Sequence, residues 1–235
     1  MVSRRVIGLL RTEDVVQIES GVDWNEMKSE IVNRVRTMFH EYPDYFFTGR
    51  DILSLLCDIS NEELRLKGVE PTNTADGYVV NLVHQEYPMP FRCNMKEDGF
   101  TKKDARSYRR GYYDLIILNP AFVQTNSLDV VCAKDIEKHE AAIKYTSITP
   151  LIWACEVLFF PRVNSFPTDG IPQIRQDALK VKDALNHKID SETLFCKSGS
   201  VLVFTSHTAE EAADLSRQIK GLADTLRLEV ILSTS

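Results

Sequence analysis

GYYDLIILNP, residues 111–120, sets one carboxylate, Asp114, at the head of an apolar run. A second run, LIWACEVLFF at 151–160, carries one carboxylate, Glu156, in its middle. Both have the length and the β-branched, aromatic texture of buried strands. An unpaired ionised carboxylate inside such a strand costs several kcal/mol or more. That cost falls if the two acids share a divalent cation. Mg2+ takes oxygen ligands, typically one or two protein carboxylates completed by waters and phosphate oxygens. There it stabilises charge on a phosphoryl group and lowers the pKa of a bound water. Asp114 and Glu156 are the residue types this chemistry requires.

Outward from these runs, a charged helical stretch, AKDIEKHEAAIKY, separates them. After Pro161 come a loop containing Pro167, Gly170 and Pro172, a helix QIRQDALKVKDALNHK, a strand SVLVFTSH, a helix TAEEAADLSRQIKGLA and a last strand RLEVILS. Strand and helix alternate, which predicts an α/β sheet layered with helices. Upstream, EYPMPFRC is extended because its two prolines exclude a helix, YVVNLVHQ suits a helix end, and KEDGFTKKDARSYRRG is a basic polar loop. The first third is helical. DWNEMKSEIVNRVRTMFHEY spaces Trp24, Met27, Ile31, Val35 and Met38 by threes and fours, with Asp23 as N-cap and Glu26 completing a capping box. Thr48 caps a second helix, GRDILSLLCDI, and SNEELRLKG forms a short third that stops at Gly68. The segment FTGRDILSLLCDISNEELRLKG could pair as a helix-turn-helix, although its second helix is not basic.

The pattern of Gly-x-x-Asp with four apolar residues, then an apolar strand with a Glu, then a helix carrying Asp-x-x-Lys, resembles the PD-(D/E)XK nuclease superfamily. The resemblance covers about residues 75 to 235 and divides the chain into an N-terminal helical extension, 1–73, and a nuclease-like core, 74–235. It implies a restriction endonuclease-like central mixed β-sheet flanked by helices, with Asp114 and Glu156 binding Mg2+ or Mn2+ from adjacent strands. Glu86, in HQEYPMP, would be a supporting metal ligand. The sequence departs from the family pattern two positions after Glu156, where Leu158 stands in place of lysine. In the superfamily this lysine can move to the neighbouring helix. Lys180 is then the relocated cation: Asp177, Lys180 and Asp183 share one helical face, whereas Lys182 lies about 200° around the axis from Lys180. Gln173 and Gln176 are weaker candidates for a water or phosphate contact.

Lys102, Lys103, Arg106, Arg109 and Arg110, with Tyr108 among them, suit phosphate contact and base stacking. The resemblance and this basic cluster together imply a metal-dependent nuclease with Asp114, Glu156 and Lys180 catalytic, with DNA favoured over RNA as substrate by the family alone. The alternative is a catalytically inactive nuclease-fold module that binds nucleic acid or a protein. A net charge of −6 argues against simple coating of nucleic acid but leaves room for a local basic groove. The five cysteines include no C-x-x-C pair, which argues against a zinc ribbon and a disulfide framework. HQE at 84–86 lacks the P-C-x-x-C that a zinc deaminase needs, and no dinucleotide or Walker loop occurs. No apolar run is of membrane-spanning length, so a cytoplasmic protein without a membrane partner is expected, with homodimerisation left open.

Overall fold

In the computed structural model of the chain the described residues are 21–96, 99–102, 110–161, 170–189 and 192–235; for 90–96, 99–102 and 110 the backbone alone is described. In chain order they form α1 (Trp24–Glu41), α2 (Gly49–Leu66), β1 (Thr72–Asn73), β2 (Val79–Val80), β3 (Val83–Lys96), β4 (Gly99–Lys102) and β5 (Arg110–Leu118). There follow α3 (Pro120–Thr125), α4 (Leu128–Val131), α5 (Ile136–Thr146), β6 (Leu151–Phe160), α6 (Gly170–Asn186), β7 (Cys196–Thr205), α7 (Ala213–Leu226) and β8 (Glu229–Thr234). The fold is mixed α/β.

Six strands make one mixed sheet in the order β4-β3-β5-β6-β7-β8. The pairings β4–β3, β3–β5 and β5–β6 are antiparallel, and β6–β7 and β7–β8 are parallel. A parallel pair needs a crossover, which α6 and α7 supply. The run 151–160 becomes an interior strand flanked by β5 and β7, and most of it is buried, as expected of a strand covered on both faces.

The two faces are covered by different helices. On one, Leu158, Phe160, Val201 and Val203 share an apolar cluster with Ile174, Ala178 and Val181 of α6 and Leu215 and Ile219 of α7. On the other, Phe39 of α1 meets the rings of Phe159 and Phe204 with centroids 6.1 and 5.1 Å away. Helices α1 and α2 thus belong to the same apolar core as the sheet. Asp23 does cap α1, accepting from the Asn25 and Glu26 amides at 3.0 Å. Its buried stripe runs Met27, Ile31, Val35 and then Phe39, leaving Met38 40% exposed.

Three local expectations are corrected. Helix α2 runs unbroken through Ser60 because no glycine or proline interrupts it and Ser60, Glu63 and Leu64 prolong its buried stripe; the helix-turn-helix pair is therefore not formed. The segment YVVNLVHQ falls in β2 and the start of β3 instead of ending a helix. Part of the expected basic loop is strand, since Gly99–Lys102 pairs with β3. Strand β3 passes through both prolines, with a register shift between Pro88 and Arg92, as a ladder must yield where N–H donors are missing. No described helix is long and apolar enough to cross a membrane.

Candidate active site

Strand register brings the two acids together. Leu115 pairs with Cys155 and Ile116 with Ala154; one step further along this register sets Asp114 opposite Glu156, on the same face of the sheet. There the half-buried Asp114 carboxylate takes up a backbone donor: its Oδ2 accepts the Val157 N–H at 2.8 Å. Glu156 points to the α6 side and is 1% exposed. Its Oε2 accepts from Lys180 Nζ at 3.1 Å. Its Oε1 is buried with no hydrogen-bond partner.

Helix α6 brings the other two members. Lys180 Nζ lies 2.6 Å from Asp177 Oδ1, one turn earlier on the same helix. Asp177 is buried, and the Lys180 side chain is largely so. Three carboxylates and one ammonium thus meet at the junction of β5, β6 and α6. Burial pushes the Glu156 carboxyl well above the usual carboxylate range; Lys180 opposes that rise, and Asp177 and Asp114 add to it. Asp177 is raised for the same reason, burial first, with Lys180 again opposing. Burial alone would depress Lys180, but Glu156 and Asp177 outweigh it and hold the ammonium above its ordinary value. Carboxyl groups outnumber the one ammonium in the cluster, and one acceptor is open.

The residue two after Glu156 leaves no place for a cation on the strand itself. Leu158 is on the same face, 3% exposed, in the apolar cluster of Ile174, Ala178 and Val181. A lysine there would place its ammonium under α6 among aliphatic side chains.

Glu86 is on β3. The pairs Gln85–Leu115 and Tyr87–Tyr113 bracket it opposite Asp114, but its side chain is exposed and its backbone is left-handed, with φ of 52°. A glutamate rarely adopts that region. Among the described residues no three His, Cys, Asp or Glu side chains group tightly enough to hold a metal ion on their own, so Glu86, Asp114 and Glu156 do not form a ready three-carboxylate cage. Gln173 is exposed and Gln176 half-buried on α6. Lys102 ends β4 and Arg110 opens β5; Lys103, Arg106 and Arg109 lie outside the described residues. Asp177 is not among the residues the sequence alone assigns to the site, although the D-x-x-K spacing is the signal that marks it. No protein-family model, curated protein or solved structure matches the chain.

Proposed function

We propose that this chain is a Mg2+- or Mn2+-dependent phosphodiester hydrolase of restriction endonuclease-like type, acting on nucleic acid and on DNA in the first instance. The observation that carries the reading is the buried, unpartnered Oε1 of Glu156, in a cluster where Asp114, Asp177 and Glu156 outnumber Lys180. A hard divalent cation fits that donor set: it supplies the missing positive charge and takes carboxylate oxygens, with water and phosphate oxygens filling its remaining positions. Asp114 and Glu156 would hold it. When bound, the metal polarises a phosphoryl oxygen and makes a bound water a nucleophile at neutral pH.

The chain's own side chains do the rest. Asp114 is tied to the Val157 amide through Oδ2, which restrains its side chain beside Glu156. Lys180 keeps an ammonium beside Glu156, where it can orient the attacking water or steady a non-bridging phosphate oxygen. The α6 roof over Leu158 excludes water from one side. The basic stretch 102–110 joins β4 to the strand that carries Asp114, which suits a grip on the phosphate backbone.

One observation favours a second reading, a catalytically inactive module that binds nucleic acid or a protein. Lys180 already provides an internal cation for Glu156, and no three-ligand group exists among the described residues. The two readings separate on one experiment, which measures melting temperature with and without Mn2+ and cleavage of plasmid and single-stranded DNA. The hydrolase should be stabilised by Mn2+ and should cut, and Asp114→Ala and Glu156→Ala should each lose both properties. Cleavage should fall about a thousandfold, since the several kcal/mol a metal supplies convert at tenfold per 1.4 kcal/mol. A wild-type protein that melts identically with Mn2+ and leaves DNA intact is the inactive module. Cleavage that survives both substitutions places the chemistry elsewhere.

A further inference from the structure

A lysine on the strand beside Glu156 would be held in place by its own backbone. Lys180 instead reaches in from a helix on a flexible four-carbon stem, so something else must fix where its ammonium sits. Two features of the structure do so independently. The first is Asp177. Its Oδ1 is 2.6 Å from Lys180 Nζ, closer than the 3.1 Å to Glu156 Oε2. Asp177 is buried, so the pair is shielded from competing water. This contact does not involve Glu156, and Lys180 keeps that anchor whatever Glu156 holds.

The second is Gly199 of β7, which pairs with Ala154 of β6 two residues before Glu156. A Cβ built on Gly199 would clash with Val181 Cγ1 and lie 3.4 Å from the Ala154 carbonyl and 3.5 Å from Leu185 Cδ1. Helix α6 therefore rests on the sheet where there is no side chain, and the residue that touches down, Val181, follows Lys180 directly. Glycine inside a strand weakens it and marks a close approach of another part of the chain. Here the close approach sets the height of α6 above β6 and β7, and with it the reach of Lys180 to Glu156.

We propose that Asp177 and Gly199 are positioning residues that make a helix-borne lysine serve in place of a strand lysine, Asp177 by anchoring the ammonium and Gly199 by seating the helix. The proposal rests on the hydrolase reading for its catalytic consequence but not for its structural one, and the test separates them. Full-length wild type, Asp177→Asn, Gly199→Ala and Gly199→Ala/Val181→Ala are treated briefly with an amine-acetylating reagent. Acetylation of Lys180 is then read by peptide mass spectrometry against the exposed Lys188.

Wild-type Lys180 should be protected. Asp177→Asn and Gly199→Ala should raise its labelling several-fold, and Val181→Ala, which removes the clashing methyl, should restore protection to the alanine variant. In cleavage assays both single variants should lower kcat about a hundredfold, the size of a misplacement effect, with KM little changed in both and Mn2+ affinity little changed in Gly199→Ala. Neither should add to the loss in a Lys180→Met background, as residues acting through one group do not add. Lys180 labelling that stays at the wild-type level in both variants overturns the proposal. So does undiminished cleavage in variants whose Lys180 has become reactive. If the wild-type protein cleaves nothing, the hydrolase reading fails, and the labelling pattern still decides whether Asp177 and Gly199 position the lysine. If Gly199→Ala does not fold, Asp177→Asn carries the test alone.

Discussion

The two faces of the sheet each carry a group of polar side chains, and the groups are built differently. On the α1 face, Trp153 Nε1 donates to Ser200 Oγ at 3.2 Å, Ser200 donates to Glu229, and Lys28 pairs with Glu229 at 3.1 Å. Its one carboxylate meets one ammonium, and none of its buried polar atoms lacks a partner. On the α6 face, three carboxylates meet one ammonium, and Glu156 Oε1 is left open. Ser200 pairs with Cys155, the strand neighbour of Glu156, so the two groups are back to back. A network that serves only the fold closes its hydrogen bonds, because an open buried acceptor costs about 1–3 kcal/mol. The group that leaves one open is the place to look for a ligand.

The contrast breaks most sharply at Glu156. Glu156→Gln keeps the shape and removes the charge, so the melting-temperature gain from Mn2+ should vanish and cleavage should drop about a thousandfold. If Mn2+ stabilises the variant as it does the wild type, the open acceptor is not a metal site. Next in size is Lys180→Met, which leaves buried acids without their ammonium. Denaturant unfolding without metal should show a loss of about 3 kcal/mol, tempered where Glu156 takes up a proton, and Mn2+ should recover more stability than it adds to the wild type.

The pH dependence follows from the same excess of acid. Glu156 and Asp177 are raised, so between the ordinary carboxylate range and their raised values the folded chain holds protons that the unfolded chain has released. The contribution of these two groups to the stability of the metal-free protein should therefore fall as pH rises through that window, against a rise from His84, whose burial lowers its pKa. Melting temperature against pH for the wild type and Glu156→Gln isolates it: the wild-type curve should lose stability relative to the variant as pH rises, and a difference of the opposite sign would contradict the direction of the Glu156 shift. The smallest effect belongs to the closed network. Ser200→Ala orphans the Trp153 N–H and should cost about 1–2 kcal/mol without altering Mn2+ stabilisation or cleavage. An equal loss of Mn2+ binding there would erase the distinction between the faces.

What could be read from the amino-acid order is what depends on local pattern. Residues 111–118 of the first run and all of 151–160 are strand because nearly continuous apolar sequence of that length has few alternatives, and the D-x-x-K spacing puts Asp177 and Lys180 on one helical face. What could not be read depends on contacts between distant segments. Nothing about Glu86 announces a left-handed backbone, and nothing about Gly199 announces that Val181 will press against it. The prolines of β3 point towards loop or edge, and they fall in the part of the strand that pairs with β5 alone; that β4 joins further on, at Cys93–Lys96, is a contact the prolines do not announce. The continuity of α2 depends on polar residues, Ser60 and Glu63, buried against neighbours that the segment alone does not show.

Leu158 makes the arrangement hard to undo. A lysine placed in the strand there would drive a charge into the packing between β6, Ile174 and Ala178 and lift the very helix that carries Lys180. Moving the cation from helix to strand would require hollowing out α6 first, so the steps between would have neither cation in place. The packing of one leucine thus acts as a ratchet on how this site can change.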